Sequence, residues 1–283
     1  MTERRQGHVG VWVGIGMAVG GMLGLVAHNI ARGVKIGAAV GLVLGLVLRW
    51  HFEHRAVALA AGSVPGRLPR TSAPKRILII GATGGTGRQL VDQALERGHE
   101  VTAFVRVSSK LAIRHERLKI VQGDVLDQAA VESAVRGQDA VLSALGHKRW
   151  LIPTAILSTG TSNVILAMES LRVSRFVCET SLGIGDSRGY LGLYYSLFIV
   201  PVVLRFYFRD KELQERHVRD SSLEWVIVRP GVLTNGLRRG GYRSGKVGHR
   251  LWTVRISRAD VAGFMLDQLT DTPYLRLSPG VCW

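Results

Sequence analysis

The apolar positions near the start of the chain run together, whereas those after residue 75 alternate with polar segments. Residues 9–30 include no Asp, Glu, Lys or Arg, and an apolar run of that length can cross a bilayer as a helix. A second stretch, residues 34–50, is shorter and spans only if Lys35 and Arg49 extend to the interfaces. The pattern therefore predicts a membrane anchor in residues 1–52, with one or two transmembrane helices.

Glycines recur at every fourth position in both apolar stretches, which favours close helix packing in lipid. Such spacing leaves a smooth groove along one side of a helix, and so many glycines would make poor helices in water. The helices can pack as a glycine-rich transmembrane hairpin or join copies of the chain into a homo-oligomer. A cleaved signal peptide or a buried soluble helix pair fits these stretches less well. The glycines concerned are Gly16, Gly20, Gly24, Gly33, Gly37, Gly41 and Gly45.

Beyond the anchor, the pattern changes twice. Residues 53–74 contain Pro65, Gly66 and Pro69, which is typical of a linker, and their basic residues suit the membrane surface. From residue 75 to 283, short apolar runs alternate with helical patterns, which predicts an α/β fold, a doubly wound parallel sheet of the Rossmann type. The predicted strands are 76–80, 100–105, 118–121, 140–145, 175–180, 225–228 and 274–277; the predicted helices are 88–95, 128–136, 154–171, a long region ending near 220, and 255–269, with Ser257 or Asp260 as its cap.

The charge of the chain limits the kinds of partner that it can bind. The chain has 37 Lys and Arg against 21 Asp and Glu, a formal charge of +16, which attracts phosphates and anionic lipids. The basic residues are spread along the chain without a dense run or interleaved aromatics, so we expect membrane lipids and no nucleic acid as partners. The two cysteines, Cys178 and Cys282, suit a reducing compartment. No His, Cys, Asp or Glu cluster has the spacing of metal ligands.

The first strand of the α/β region runs into a glycine-rich loop and then a helical pattern. This order is typical of a dinucleotide site, where glycines allow a sharp turn and let a pyrophosphate approach bare backbone. The N-terminus of the helix offers free N–H groups and positive potential to the anion. The loop predicts cofactor contacts at Gly81, Thr83, Gly84, Gly85, Thr86 and Gly87.

The end of the second strand distinguishes two cofactors. Arg106 stands nineteen residues after Gly87, where an acidic residue would bind the ribose 2′-hydroxyl of NAD. A guanidinium there can pair with the 2′-phosphate of NADP, so NADP(H) is favoured over NAD(H). Ser108, Ser109 and Lys110 can add donors, and Arg88 is a second candidate for the phosphate or a surface residue.

Several further motifs carry a family resemblance. They are Gln122-Gly123-Asp124-Val125, Glu179-Thr180-Ser181, Val228-Arg229-Pro230-Gly231 and Ile256-Ser257-Arg258-Ala259-Asp260-Val261-Ala262, together with the glycine loop and Phe104-Val105-Arg106. With them, residues 75–279 resemble the atypical short-chain dehydrogenase/reductases with an NAD(P)H-binding domain, in particular the flavin reductase or biliverdin-IXβ reductase type. The resemblance implies that Asp124 and Val125 lie beside the adenine, and Ala144, Leu145 and Gly146 beside the ribose and nicotinamide.

The resemblance also implies a catalytic set. Short-chain dehydrogenases pair a Tyr with a Lys four residues on, and a Ser orients the substrate. Ser181 stands where that Ser is expected, and Tyr207 and Lys211 have the Tyr-x-x-x-Lys spacing, which places both on one side of a helix. Lys211 would also bind the nicotinamide ribose. If Tyr207 is only structural, hydride can pass directly to a flavin or conjugated acceptor, with water supplying the proton.

Two segments near this set stay open to more than one interpretation. Residues 190–204 are nearly all apolar and suit a buried helix, a lid over a quinone-like or lipid substrate, or a surface that dips into a membrane. Residues 147–150, His147, Lys148, Arg149 and Trp150, follow the fourth strand and either contact an anionic substrate or are simply solvated.

The leading hypothesis is a membrane-anchored, NADP(H)-dependent oxidoreductase that reduces a flavin, a quinone or another conjugated small-molecule acceptor. Because the nicotinamide pool is cytoplasmic, we expect an inner-membrane protein whose α/β region faces the cytoplasm. The alternative is a non-catalytic NADP(H)-binding redox sensor or scaffold in the membrane. Epimerase or isomerase chemistry on a sugar nucleotide fits the fold, but the atypical catalytic segment disfavours it.

Overall fold

The described part of the chain is an α/β sheet with helices on both faces. A computed structural model describes residues 73–147, 151–270 and 273–283, and Lys35. The strands are β1 Arg76–Ile80, β2 Glu100–Val105, β3 Leu118–Gln122, β4 Ala140–Ser143, β5 Arg175–Glu179, β6 Glu224–Pro230, β7 Val232–Thr234, β8 Arg243–Gly245, β9 Arg255–Ser257 and β10 Gly280–Cys282. The helices are α1 Gly85–Glu96, α2 Gln128–Val135, α3 Ile156–Ser170, the π-helix Tyr195–Val203, α4 Arg205–Asp220 and α5 Arg258–Asp267.

Eight strands form the main sheet in the order β3-β2-β1-β4-β5-β6-β10-β8. All neighbouring pairs are parallel except β10 and β8, and β7 pairs with β9 in a separate two-stranded sheet. Strand β1 pairs with β2 on one side and with β4 on the other, so the direction in which successive strands are added reverses between β1 and β4. Ligands of open α/β sheets bind in the crevice at such a point, beyond the carboxyl ends of the strands.

Strand β1 is buried on both faces, as its continuous apolar run predicts. Ile77 and Ile79 belong to the core on the side of α1 and α5, whereas Leu78 and Ile80 belong to the core on the other side. This alternation follows from the two-residue period of a strand. The predicted parallel Rossmann sheet is therefore confirmed, and its switch point lies next to the glycine loop.

Two predictions about the second half of the chain are wrong. Residues 274–277 form a turn rather than a strand, because Arg276 adopts φ of 54° and reverses the backbone; the last strand is β10, three residues later. The tail helix begins at Arg258 rather than 255, since residues before it pair with β7. Its cap is Ser257, whose side chain accepts from Asp260 N.

The apolar segment 190–204 includes the π-helix, and none of its nine residues from Tyr195 to Val203 is buried. The interpretation as a buried helix is therefore wrong. The predicted anchor (1–52) and linker (53–74) lie outside the described residues, except Lys35 and residues 73 and 74. Among the residues that are described, the structure contains no helix with the length and apolar character needed to cross a bilayer.

Candidate functional site

The turn after β1 requires glycine at two positions. Gly81 has φ of 79°, a left-handed conformation that side chains strain, and its carbonyl accepts from Gly84 N at 2.9 Å. A methyl group on Gly81 would lie 2.5 Å from the Ala144 carbonyl oxygen. A methyl group on Gly87 would overlap the backbone of Gly81. The glycines therefore let β1, α1 and the end of β4 meet at one point.

The N-terminus of α1 has the features of an anion-binding site. Gly84 caps the helix without a side-chain hydrogen bond, and the first turn contains no acidic residue. Gly84 and Gly85 are exposed, while Thr86 is buried. The first backbone N–H groups of a helix have no partner within the helix, and the helix dipole makes this end positive. A phosphate group fits this end.

Arg106 borders a cleft of about 370 Å³ beside the glycine loop. The cleft is lined by Thr83, Arg106, Val107 and Lys110, and both basic residues are exposed. Arg88 is occupied differently: its guanidinium donates to the carbonyls of Thr83 at 3.2 Å and Lys110 at 2.8 Å. Arg88 thus holds two walls of the cleft together, and the cations left facing it are those of Arg106 and Lys110.

The two residues predicted beside the adenine point in different directions. Val125 is buried in the core, where its side chain fills the space left by Gly160 of α3. Asp124 is exposed, and one of its carboxylate oxygens accepts from Leu126 N at 3.0 Å. Of these two residues, it is therefore Asp124 whose side chain is exposed beyond the carboxyl end of β3.

The structure brings the predicted Tyr and Lys together at the end of β4. Lys211 Nζ lies 5.4 Å from the centroid of the Tyr207 ring, and a methyl group on Gly146 would lie 3.5 Å from the Tyr207 hydroxyl oxygen. The ring of His147 packs edge-on against Tyr207 at 4.9 Å. The exposed backbone after Ala144 and Leu145 and the phenol of Tyr207 thus face the same space; residues 148–150 lie outside the described ranges.

Ser181 lies two residues beyond β5, at the same edge of the sheet. Its hydroxyl donates to the carbonyl of Leu182 at 3.0 Å, so its lone pairs stay available to a ligand. Lys211, which is buried, donates to the carbonyl of Glu179 at 3.4 Å. Lys211 therefore fixes the distance between α4 and the end of β5, where Ser181 follows.

Glu179 is a buried carboxyl group to which the sequence pattern assigned no role. The Thr86 hydroxyl donates to its Oε1 at 3.1 Å, across 93 residues of chain. Burial raises the pKa of Glu179, although Lys211, the Thr86 hydrogen bond and Arg258 all act to lower that pKa. The carboxyl group therefore ties the first turn of α1 to β5 beneath the site.

Arg258 is the second residue that the sequence pattern did not assign. It begins α5, and its side chain crosses the start of α1 so closely that a methyl group on Gly85 would lie 2.5 Å from Arg258 Cδ. Arg258 Nη1 donates to Asn235 Oδ1 at 2.6 Å. A guanidinium is thus held at the helix end that attracts an anion.

The inward side of α4 is polar although it is buried. Asp210 accepts from the backbone N–H groups of Leu157 and Ser158 at 3.0 Å and so caps α3. Glu215 binds the guanidinium of Arg229 on β6 through both oxygens, at 2.9 and 2.6 Å. Asp210, Lys211, Gln214 and Glu215 are all at most 3% exposed. Helix α4, which carries Tyr207, is therefore fixed by hydrogen bonds to its neighbours.

Glu215 also reaches the loop that contains Ser181. The Thr180 hydroxyl donates to Glu215 Oε1 at 2.7 Å, and Arg229 extends from Glu215 to Asp186 at 2.5 Å. The hydrogen bond from Arg229 holds the pKa of Asp186 below its usual value. The chain on both sides of Ser181 is thus attached to the same buried ion pair.

Family models match two parts of the chain. One, described as NAD(P)H-binding, matches residues 81–272, which is more than half of the chain and contains all of the elements above except β1 and β10. The other, described as a glycine zipper membrane protein, matches residues 2–51. The second match coincides with the segment whose glycine spacing predicts close helix packing.

Two curated relatives are similar over more than half of the chain. The (4-alkanoyl-5-oxo-2,5-dihydrofuran-3-yl)methyl phosphate reductase of Streptomyces griseus is 27% identical over 69% of this chain and 64% of its own length. An uncharacterised chloroplast protein of Arabidopsis thaliana is 30% identical over 57% of this chain and 60% of its own. The chain therefore spans less than two thirds of either relative.

Solved structures share the fold. ChuY, an anaerobilin reductase from Escherichia coli O157:H7, superposes with a TM-score of 0.61 and 24% identity, over 73% of this chain and 96% of ChuY. A short-chain dehydrogenase/reductase from Veillonella parvula in complex with NADP gives a TM-score of 0.63 and 20% identity, over 74% of this chain and 94% of its own.

Proposed function

Because this chain belongs to the NAD(P)H-binding family, we propose that it is a membrane-anchored, NADP(H)-dependent oxidoreductase that reduces a flavin, a quinone or another conjugated acceptor. The resemblance to atypical short-chain dehydrogenase/reductases is confirmed by the family match and by the fold of the NAD(P)-binding reductases. The observation that carries the proposal is that the N-terminus of α1, two exposed cations at its side and a Tyr-Lys pair lie along one edge of the sheet.

The pyrophosphate would lie against the start of α1. Exposed backbone at Gly84 and Gly85 gives it room, and the N–H groups of the first turn donate to it. Arg258, already beside Gly85, adds a full positive charge where the helix supplies only a partial one. The structure thus offers two independent sources of attraction for the same anion.

The 2′-phosphate of NADP fits the cleft beside Arg106. Arg106 and Lys110 place two cations at its rim, and Arg88 keeps the cleft open by bonding its walls. The lining includes no carboxylate that would bind a ribose 2′-hydroxyl. NADP in the complex of the Veillonella protein supports the same cofactor.

At the other end of the site, four residues surround the space in which the acceptor would react. The bound nicotinamide would supply a hydride to the acceptor. Tyr207 would donate a proton to the acceptor oxygen or nitrogen, and the cation of Lys211, 5.4 Å from the centroid of the Tyr207 ring, would lower the energy of the phenolate that remains. Ser181, whose hydroxyl proton goes to the Leu182 carbonyl, would orient the acceptor by accepting a hydrogen bond from it. Gly146 leaves the space that the ring and the acceptor need.

The relatives support an acceptor with conjugated double bonds. The Streptomyces reductase acts on an alkanoyl-substituted dihydrofuranone phosphate, and ChuY is named for reduction of anaerobilin. The glycine zipper match supports a membrane anchor. A cytoplasmic pool of NADPH would then place residues 75–283 on the cytoplasmic side of the inner membrane.

The test uses the full chain purified in detergent. NADPH and NADH are titrated by nicotinamide fluorescence, and FMN, menadione and a dihydrofuranone are then added in turn. We expect tighter binding of NADPH than of NADH, and loss of fluorescence only after an acceptor is added. Tight binding without turnover for any acceptor class would instead favour the non-catalytic redox sensor, and equal binding of both nucleotides would contradict the role of Arg106.

A further inference from the structure

The π-helix carries a continuous apolar surface on the outside of the molecule. Leu193, Tyr194, Leu197, Phe198 and Val202 are 42–71% exposed. The rings of Tyr194 and Phe198 are neighbours, with centroids 6.2 Å apart. Leu193 N donates to the carbonyl of Leu251, whose side chain is 60% exposed, at 3.3 Å. We call these six residues the apolar face.

The other side of the same helix is packed. Tyr195 and Val200 contact the small core formed by residues such as Leu191 and Val254. The helix therefore has a fixed orientation, and its exposed side is not explained by local fraying. Scattered apolar residues are normal on a soluble surface, but a contiguous group on one element marks an interaction site.

Most of the charges near the apolar face are basic. The carboxylate of Glu212, which lines a cavity with Ser196 and Val200, is bound by the guanidinium of Arg188. Residues 189–209 contain no Asp or Glu, and Arg205 and Arg209, at the end of the helix, are exposed. Lys246 and Arg250, next to Leu251, are exposed as well. Apolar side chains surrounded by Arg and Lys match the interface of an anionic bilayer, where the chains enter the acyl boundary and the cations meet the headgroups.

The sequence of the chain indicates that the partner of the apolar face is a membrane. Residues 2–51 match the glycine zipper membrane protein model, and the predicted linker that follows has 22 residues, 53–74. A flexible linker of that length spans about 26 Å on average. A bilayer that holds the anchor would therefore be present at high effective concentration around the α/β region, and a modest affinity suffices for docking.

We propose that the apolar face docks on the surface of an anionic lipid bilayer, with Leu197, Phe198 and Val202 inserted and the neighbouring Arg and Lys side chains at the headgroups. This inference rests on the membrane anchor of the proposed function. It also gives the enzyme a second membrane contact, one that belongs to the α/β region and not to the anchor.

The experiment places single cysteines in the full chain, reconstituted in vesicles of phosphatidylglycerol and phosphatidylcholine. Phe198→Cys probes the apolar face, and Leu166→Cys is the control, because Leu166 is a comparably exposed leucine, 54%, on α3. The native Cys178 and Cys282 are buried, so a thiol-reactive fluorophore reports on the introduced cysteine. Nitroxide-labelled lipids then quench any probe that enters the bilayer.

We expect at least threefold stronger quenching at position 198 than at position 166, and a blue-shifted emission at 198 only. In phosphatidylcholine alone the difference should shrink, since the headgroup charge is lost. Leu197→Asp, added to Phe198→Cys, should abolish the quenching while NADPH binding is retained.

Equal quenching at both positions would overturn the proposal. A blue shift at 198 that grows with protein density, without lipid quenching, would also overturn it and assign the surface to a second copy of the chain. Flotation of the same vesicles distinguishes failure of the docking surface from failure of the membrane anchor. If the chain stays with the vesicles but the probe is not quenched, only the docking surface is wrong. If the chain does not float, the anchor and the docking surface are both wrong.

Discussion

The side chain of Arg258 occupies the space directly over Gly85. A methyl group on Gly85 would lie 2.5 Å from Cδ and 2.6 Å from Nε of Arg258. The two residues come from opposite ends of the α/β region, yet their contact brings a guanidinium to the start of α1. Gly85 is therefore needed as much for Arg258 as for the ligand.

Arg258→Gln should weaken NADPH and NADH binding to the same extent, because both cofactors carry the pyrophosphate. The loss of a charge-assisted hydrogen bond, about 1.5–3 kcal/mol, corresponds to roughly a 10- to 150-fold rise in Kd. Fluorescence titration of the full chain measures it. Arg114→Gln, which removes one exposed charge of the same type, is the control and should change neither Kd. A change at Arg258 confined to NADPH would contradict a contact with the pyrophosphate.

Arg106→Ala should act on NADPH alone. Its guanidinium lines the cleft where only NADP has a phosphate. We expect Kd for NADPH to rise by about 10- to 100-fold, while Kd for NADH stays within a factor of two. Parallel titrations with the two nucleotides measure the ratio. Equal weakening of both would show that the cleft receives another part of the cofactor.

Tyr207→Phe separates a proton donor from a structural phenol. If the hydroxyl donates the proton, kcat should fall by about 10²- to 10⁴-fold at unchanged Kd for NADPH. Steady-state assays with the best acceptor and the binding titration provide both values. Tyr194→Phe, on the exposed apolar face, is the matched control. A kcat that survives in Tyr207→Phe would assign proton supply to water.

Glu179 makes the stability of the protein depend on pH in an unusual direction. Burial raises the pKa of this carboxyl in the folded state above the ordinary 4.5, so the folded protein holds the proton more tightly than the unfolded chain. The stabilisation that Glu179 gives to the folded protein is therefore fully present below pH 4.5, and it is lost as the pH rises through the pKa of Glu179 in the folded state. Glu179→Gln should remove this loss.

Chemical unfolding from pH 5 to pH 8 tests the prediction. The stability of Glu179→Gln relative to the native chain should increase over that range. Glu132→Gln, at an exposed carboxylate on α2, should follow the native profile. If the stability of Glu179→Gln instead decreased relative to that of the native chain as the pH rises, Lys211 and Arg258 would outweigh burial and lower the pKa of Glu179.

The local sequence pattern is enough to predict the dinucleotide loop and most strands of the sheet. The run of β1, the glycine turn and the start of α1 are contiguous, so their roles are visible in twelve consecutive residues, 76–87. The alternation of β1 between two cores also follows from its own residues. The predicted strand at 274–277 is wrong because Leu275 and Leu277 are exposed in a turn that contains one left-handed residue, Arg276.

The parts of the site that sequence reasoning missed depend on distant contacts. Glu179 meets Thr86 across 93 residues, and Arg258 meets Gly85 from the far end of the sequence, so no local period signals either role. Both residues stand inside motifs that carry the family resemblance, which was the available signal. The sequence leaves the role of Arg88 open, because only the fold shows that its guanidinium donates to the carbonyls of Thr83 and Lys110.

The buried polar side of α4 also constrains the order in which the protein can be assembled. Asp210 needs α3, Lys211 needs β5, and Glu215 needs Arg229 on β6. A chain that ends before β6 would leave Glu215 with Arg219 of the same helix, at 3.2 Å, and without the two hydrogen bonds from the buried Arg229 guanidinium, which is unfavourable. The support of the helix that carries Tyr207 is therefore complete only when residue 229 is present, so a chain shortened before β6 would retain the glycine turn and lack one of the contacts that hold α4.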